Sequence, residues 1–197
     1  MNFKSKLPGA FKQPKGTYGY LKSMHLYSVL KAAVFLGFSL ILYLCSRVFF
    51  PQHRGIFTVL AIISAVPAAM SVVSLIMYAR FNTGRREVFE LTEKLKGEVP
   101  ALYDCVFTTQ QKSYGVNVCL STNKNLIGYS EYKGFDAPEL TRHLEYMLKK
   151  NNFSGWNIKI YTDYDKYAER LQYLSDKNLK VLTIDKSLAE FLKGIIL

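Results

Sequence analysis

Between Gly55 and Ala79 the chain runs for 25 residues without a charge, GIFTVLAIISAVPAAMSVVSLIMYA, until Arg80 closes the run. About 20 apolar residues at a helical rise of roughly 1.5 Å each cross a hydrocarbon core of about 30 Å, so this stretch predicts a transmembrane helix over 55–79. An earlier run, Leu26 to Ser46, is broken only by Lys31, which lies within two turns of its start. A lysine there can extend its ammonium to the headgroup layer while its stem stays in the apolar region, so a second span over 26–46 is expected. A cleaved secretory leader fits less well, because no small-x-small cleavage site follows and another long span does. The nine residues RVFFPQHRG between the runs force an antiparallel hairpin, with Pro51 and Gly55 suited to the turn.

Charge supplies the orientation. Residues 1–85 hold ten Lys or Arg and no acid, whereas residues 86–197 hold 16 basic residues against all 15 acids of the chain. The overall basicity therefore belongs to the apolar half and reads as topogenic, while a nearly neutral second half argues against a nucleic-acid surface. Five lysines precede Ser23 and three arginines lie between Arg80 and Arg86, against Arg47 and Arg54 in the connecting loop. The positive-inside rule places both termini in the cytoplasm of a multi-pass cell-membrane protein, with the bilayer as first partner. Ala61, Ala65 and Ala69 recur every four residues and face Ala33 and Gly37 at the same spacing, a small-residue stripe suited to close helix packing. Neither span carries Asp, Glu or His, which speaks against an ion or proton path.

The expected organisation is a basic N-terminal segment over 1–25, a transmembrane hairpin over 26–80 and a cytosolic α/β domain over 86–197. The basic segment reads as extended chain near an anionic leaflet. The domain reads as α, β, β, β, α, β, α, β, α. RREVFELTEKLKGEVP sets Val88, Leu91 and Leu95 at helical spacing, and ALYDCVFTTQ, YGVNVCLST and NLIGYSEYK alternate as strands. DAPELTRHLEYMLKK opens with Asp136 as N-cap and Glu139 at the capping-box position. WNIKIYT is a strand, Asp163 or Asp165 starts a helix, NLKVLTI is a strand and DKSLAEFLKG the last helix. Such alternation implies a mixed sheet in which a hairpin extends a parallel part.

The third of these strands ends in GYSEYKG. Side chains two apart on a strand share a face, so Glu131 and Lys133 are expected to project together. A carboxylate and an ammonium on one face can hold a divalent ion and orient an attacking water. A helix, three strands, a helix and a strand, with Glu-x-Lys on the third strand, resembles the restriction-endonuclease-like fold and its PD-(D/E)xK motif over roughly residues 86–194. The resemblance implies a metal-dependent nuclease with Glu131 and Lys133 catalytic, a divalent ion as the one cofactor, and a second acidic metal ligand. The family's second-strand position offers only Asn117 here, and the remaining candidate ligand, Asp104, stands on the first strand.

The leading expectation is accordingly a membrane protein presenting a binding or regulatory α/β module with no chemistry of its own and no cofactor. A membrane-tethered nuclease using Asp104, Glu131 and Lys133 is the alternative from a different class. An accessory subunit of a larger membrane complex, for which the stripe of Ala61, Ala65 and Ala69 is the relevant feature, is the third, with a membrane-protein partner or a homo-oligomer in view. Cys105 and Cys119 fall on adjacent strands and are expected as buried thiols. His25, His53 and His143 are scattered and make no zinc spacing. Tyr161, Tyr164, Tyr167 and Tyr173 read as half-buried core rather than a partner surface.

Overall fold

The computed structural model describes residues 13–48, 54–109, 111–177 and 182–197. Its elements are α1 (Tyr20–Val48), α2 (Arg54–Ala79), α3 (Arg86–Leu95), β1 (Ala101–Thr108), β2 (Ser113–Thr122), β3 (Asn125–Tyr129), α4 (Ala137–Lys150), β4 (Asn157–Tyr161), α5 (Tyr164–Asp176) and α6 (Thr183–Ile195). They fall into two compact units. One takes the chain from Leu21 through Asn82; the other takes Gln13–Tyr20 together with Thr83–Leu197. The basic N-terminal segment is thus divided: residues 1–12 lie outside the described part, and Gln13–Tyr20 belong to the α/β unit.

In the helical unit, α1 and α2 are long and apolar enough to cross a membrane, over Tyr20–Cys45 and Thr58–Ala79. The hairpin turn expected between them includes residues 49–53, which lie outside the described part. Most of their large side chains are exposed, Leu36, Phe38, Ile41, Ile62, Ile63 and Val73 among them. Along their middle turns the buried residues are small, Ser28 and Ala32 on α1 and Ala61, Ala68 and Ser71 on α2, whereas the larger Leu21, Met24 and Tyr78 are buried near the helix ends. The Ser39 hydroxyl donates across to the Ala61 carbonyl at 3.0 Å. The buried positions differ from the expected stripe, since Ala33, Ala65 and Ala69 are exposed. A four-residue repeat advances about 40° per step around a helix and winds off a straight contact, whereas alternating steps of three and four stay on it. Ala61, Ser64, Ala68 and Ser71 follow the second rule.

The α/β unit has three layers. Its sheet has the order β1-β2-β3-β4, antiparallel from β1 to β3 and parallel between β3 and β4, which α4 connects. Leu140, Leu144 and Leu148 of α4 and Leu188 and Leu192 of α6 cover one face with Leu102, Phe107, Val116 and Leu126. Val88 of α3 and Tyr167 and Leu171 of α5 cover the other with Tyr103, Val118, Ile127 and Tyr129. Expected caps form: Asp136 accepts from Glu139 N at 2.9 Å, and Asp163 from Asp165 N at 3.0 Å. In α3 the buried stripe is Val88 and Thr92, with Leu91 half-buried, because the Thr92 hydroxyl donates to Val88 O and meets the Tyr167 hydroxyl at 2.8 Å. Tyr167 is fully buried, while Tyr161 and Tyr164 are half-buried and Tyr173 is exposed.

One expected element differs. Of NLKVLTI, residues 178–181 lie outside the described part, and Thr183 and Ile184 open α6 instead of closing a strand. Asp185 is the cause: it is buried, and its Oδ2 accepts from Leu182 N at 2.9 Å and from Asn123 N at 3.3 Å in the β2–β3 turn. An acid three residues into a helix that satisfies the N-cap amide starts the helix there, and apolar flanks alone do not reveal it.

The buried seam makes a specific prediction. Ala68→Leu overpacks a position that is 1% exposed and should lower the thermal stability of the detergent-solubilised chain, by about 1–3 kcal/mol on the usual scale for inserted methylenes. Ala69→Leu, one residue away and exposed, should leave it unchanged. Equal effects of the two, followed by fluorescence-detected size exclusion after heating, would refute the seam.

Candidate functional site

The most unusual local geometry lies at Asp104. It is 1% exposed, and its φ of +52° puts a non-glycine residue of a strand in the left-handed region. Side-chain alternation slips at this point. Leu102 and Cys105 share one layer although three apart, and on β2 Val116 and Val118 occupy opposite layers although two apart. The register is nonetheless continuous, with Tyr103 opposite Val118 and Cys105 opposite Val116. Both strands therefore change phase together at Asp104 and Asn117, the one position between these pairs where the ladder is interrupted.

The two polar side chains there take other partners. Asp104 Oδ2 accepts from Gly19 N at 2.9 Å and from the Thr83 hydroxyl at 3.0 Å, and Oδ1 accepts from Gly84 N at 3.3 Å. Gly19 immediately precedes α1, and Thr83 and Gly84 follow α2. One buried carboxylate thus holds the two points at which the chain leaves this unit and returns to it. A left-handed non-glycine residue costs about 1–2 kcal/mol, and each hydrogen bond to a charged group contributes about 1.5–3 kcal/mol, so three such bonds outweigh the strain.

Neighbouring contacts reinforce the attachment of residues 13–20. Gly16 O accepts from Tyr103 N at 2.9 Å along the outer edge of β1, and the Lys15 ammonium donates to Ile196 O at 2.8 Å. The Tyr18 ring stacks on Phe89 at 4.4 Å between centroids. Tyr103 donates to the Glu93 carboxylate at 2.5 Å; burial and that carboxylate push its hydroxyl well above the ordinary tyrosine range, so it remains a donor.

The GYSEYKG stretch lies on the other side of the same segment. β3 ends at Tyr129, so Glu131 and Lys133 follow the strand rather than project from it, with Lys133 in a turn. The stretch is folded back onto β2: the Ser130 hydroxyl donates to Gly115 O at 2.7 Å, Glu131 N donates to Asn117 Oδ1 at 2.8 Å, and the Tyr132 ring lies over Gly115. A Cβ on Gly115 would stand 2.2 Å from that ring, which is why the strand has glycine there. The Glu131 carboxylate accepts from Arg85 Nε at 2.8 Å and from Arg85 N at 3.3 Å. Arg85 also donates to the Tyr129 hydroxyl at 3.2 Å and lies over the Tyr164 ring. Its hydrogen bond to Glu131, then that to Tyr129, raises the guanidinium above its ordinary value.

Asp104 and Glu131 are accordingly neighbours through consecutive residues, Gly84 bound to the first and Arg85 to the second. Lys133 is exposed and makes no interaction with either. Among the described residues no group of three or more His, Cys, Asp or Glu side chains could hold a metal ion. Cys105 and Cys119 are buried free thiols in one layer, and the Cys119 sulfur beside it together with burial raises the Cys105 thiol well above its ordinary range. Sequence reasoning had not singled out Gly19, Thr83 or Arg85. Only the acid-free composition of the first 85 residues pointed at them, since a carboxylate for these donors had to come from beyond Arg85.

Asp104→Ala strands three donors and keeps the left-handed backbone, so it should cost about 3 kcal/mol or more in thermal or denaturant unfolding. Gly84→Ala brings a Cβ within 2.9 Å of Asn117 Cβ and should destabilise in the same direction. Glu131→Gln weakens only a partly exposed pair and keeps an acceptor for Arg85, so it should have a clearly smaller effect than either. A Glu131→Gln loss as large as that of Asp104→Ala would reverse this ranking. Comparisons with protein-family models, with curated proteins and with solved structures found no match for this chain.

Proposed function

We propose that the chain is an integral membrane protein whose two apolar helices anchor a non-catalytic α/β binding or regulatory module, with both termini cytoplasmic. The observation that carries this reading is the Asp104 node, in which a single buried carboxylate binds the segment entering α1 and the segment leaving α2. Binding donors from both segments, it works as a connector: a change in the domain that moves β1 at Asp104 reaches the segment entering α1 and the segment leaving α2 at once. The acid-free flanks, lysine-rich before α1 and arginine-bearing after α2, and the exposed apolar side chains of the two helices support placement in a bilayer.

Asp104→Asn replaces one acceptor with a donor at constant size, and it should raise hydrogen exchange at residues 16–20 and 83–85 together in the full chain in lipid nanodiscs. Faster exchange in only one segment, or in neither, would defeat the connector reading. Membrane placement is tested separately. A cysteine at Gln52 should label from outside intact cells and a reporter after Leu197 should read cytoplasmic; the opposite pattern would overturn the orientation.

A metal-dependent nuclease remains the second reading, favoured by one observation: Asp104 and Glu131 are joined through Gly84 and Arg85. It requires Asp104 to exchange its three donors for an ion. A Mg²⁺- or Mn²⁺-dependent cleavage of DNA that Glu131→Gln abolishes without unfolding would establish it.

A further inference from the structure

On the α4 side of the α/β unit an open cavity of about 590 Å³ lies between that helix and the β1–β2 loop. Small-molecule clefts typically measure roughly 300–1,000 Å³. Thr109 and Gln111 form the loop wall, and Arg142, His143, Tyr146 and Lys150 the helix wall. These helix residues stand beside the Leu140, Leu144 and Leu148 stripe, so the packing that buries the leucines also fixes the direction of the cavity face.

The chemistry of that face is ordered. Arg142, Tyr146 and Lys150 follow at four-residue intervals, so a cation, a ring and a second cation line up along one side of the helix over roughly 12 Å. The Tyr146 ring is 64% exposed, unlike the buried tyrosines of the core. No hydrogen bond or ion pair engages Arg142, Tyr146 or Lys150 among the described residues. Glu139, the acid in the cavity wall, accepts from the Tyr114 hydroxyl, and burial with that carboxylate pushes Tyr114 up to about 12, so the donor is retained at neutral pH. The cavity therefore presents two uncommitted cations and one committed carboxylate. A guanidinium binds phosphate oxygens in a two-pronged fashion, and an exposed ring between cations offers a stacking surface to a planar base.

We infer that this cavity binds a small phosphorylated ligand bearing a planar ring, a mononucleotide in chemical class, with the phosphate on Arg142, Lys150 adding a second positive charge, and the ring stacked on Tyr146. The inference rests on α4 and the β1–β2 loop alone and is independent of the membrane anchor and of Asp104. Calorimetric titration of the full chain in detergent with AMP, adenosine and inorganic phosphate tests it. AMP should bind saturably and at least tenfold more tightly than either fragment. Arg142→Gln and Tyr146→Ala, both exposed, should each weaken AMP binding at least tenfold without changing the melting temperature, and only Arg142→Gln should weaken inorganic phosphate. Absence of saturable AMP binding overturns the inference. So does AMP binding no tighter than that of phosphate, which marks an adventitious anion site, or AMP affinity unchanged in both variants.

Discussion

The carboxylate of Asp104 is the interaction on which the arrangement of the α/β unit depends. Three donors from two distant segments, one before α1 and one after α2, converge on this side chain. Removing a carboxylate from water costs several kcal/mol unless hydrogen bonds replace the solvent, so the site is stable only when both segments are in place. That mutual requirement makes Gln13–Tyr20 part of a domain from which more than sixty residues of intervening chain separate it.

The sheet is built around the same point. A phase change in one strand alone would put the apolar residues of the pair on opposite layers beyond it. Here β1 and β2 change phase together at Asp104 and Asn117, so Cys105 and Val116 remain partners and both layers stay apolar. Asn117 then supplies an acceptor for Glu131 N, which brings GYSEYKG back over β2 and sets Glu131 against Arg85. The Glu-x-Lys triplet thus has a structural account: its acid is bound by the backbone and side chain of Arg85, and its lysine lies in a solvent-exposed turn.

The outer edge of β1 is treated in a related way. An edge strand exposes unpaired amides and carbonyls that invite association with other chains. Gly16 O caps the Tyr103 amide and Leu197 N donates to Val106 O, so the segment before α1 and the end of the chain cover that edge side by side. Lys15, reaching Ile196 O, ties the two covers to each other. The attachment of the N-terminal segment is therefore redundant: a buried charge, an edge pairing, a lysine cap and an aromatic stack all hold it.

The sequence by itself determined what depends on local pattern. Two apolar runs long enough to cross a membrane, a helix capped by Asp136, the β1–β2 hairpin and the mixed α/β character follow from hydrophobic periodicity and from side chains that bind amides two or three residues away. What only the tertiary structure decided depends on partners distant in the chain. No spacing rule connects Gly19 with Asp104 or Asp104 with Thr83, and an alternation pattern read along β1 cannot reveal a phase change that exists because β2 makes the same one. The start of α6 likewise needed Asp185 to meet the β2–β3 turn, and the buried face of α2 needed α1 to choose Ala68 over Ala65 and Ala69. Each is a case in which a short polar or small side chain takes its role from whatever the fold brings opposite it.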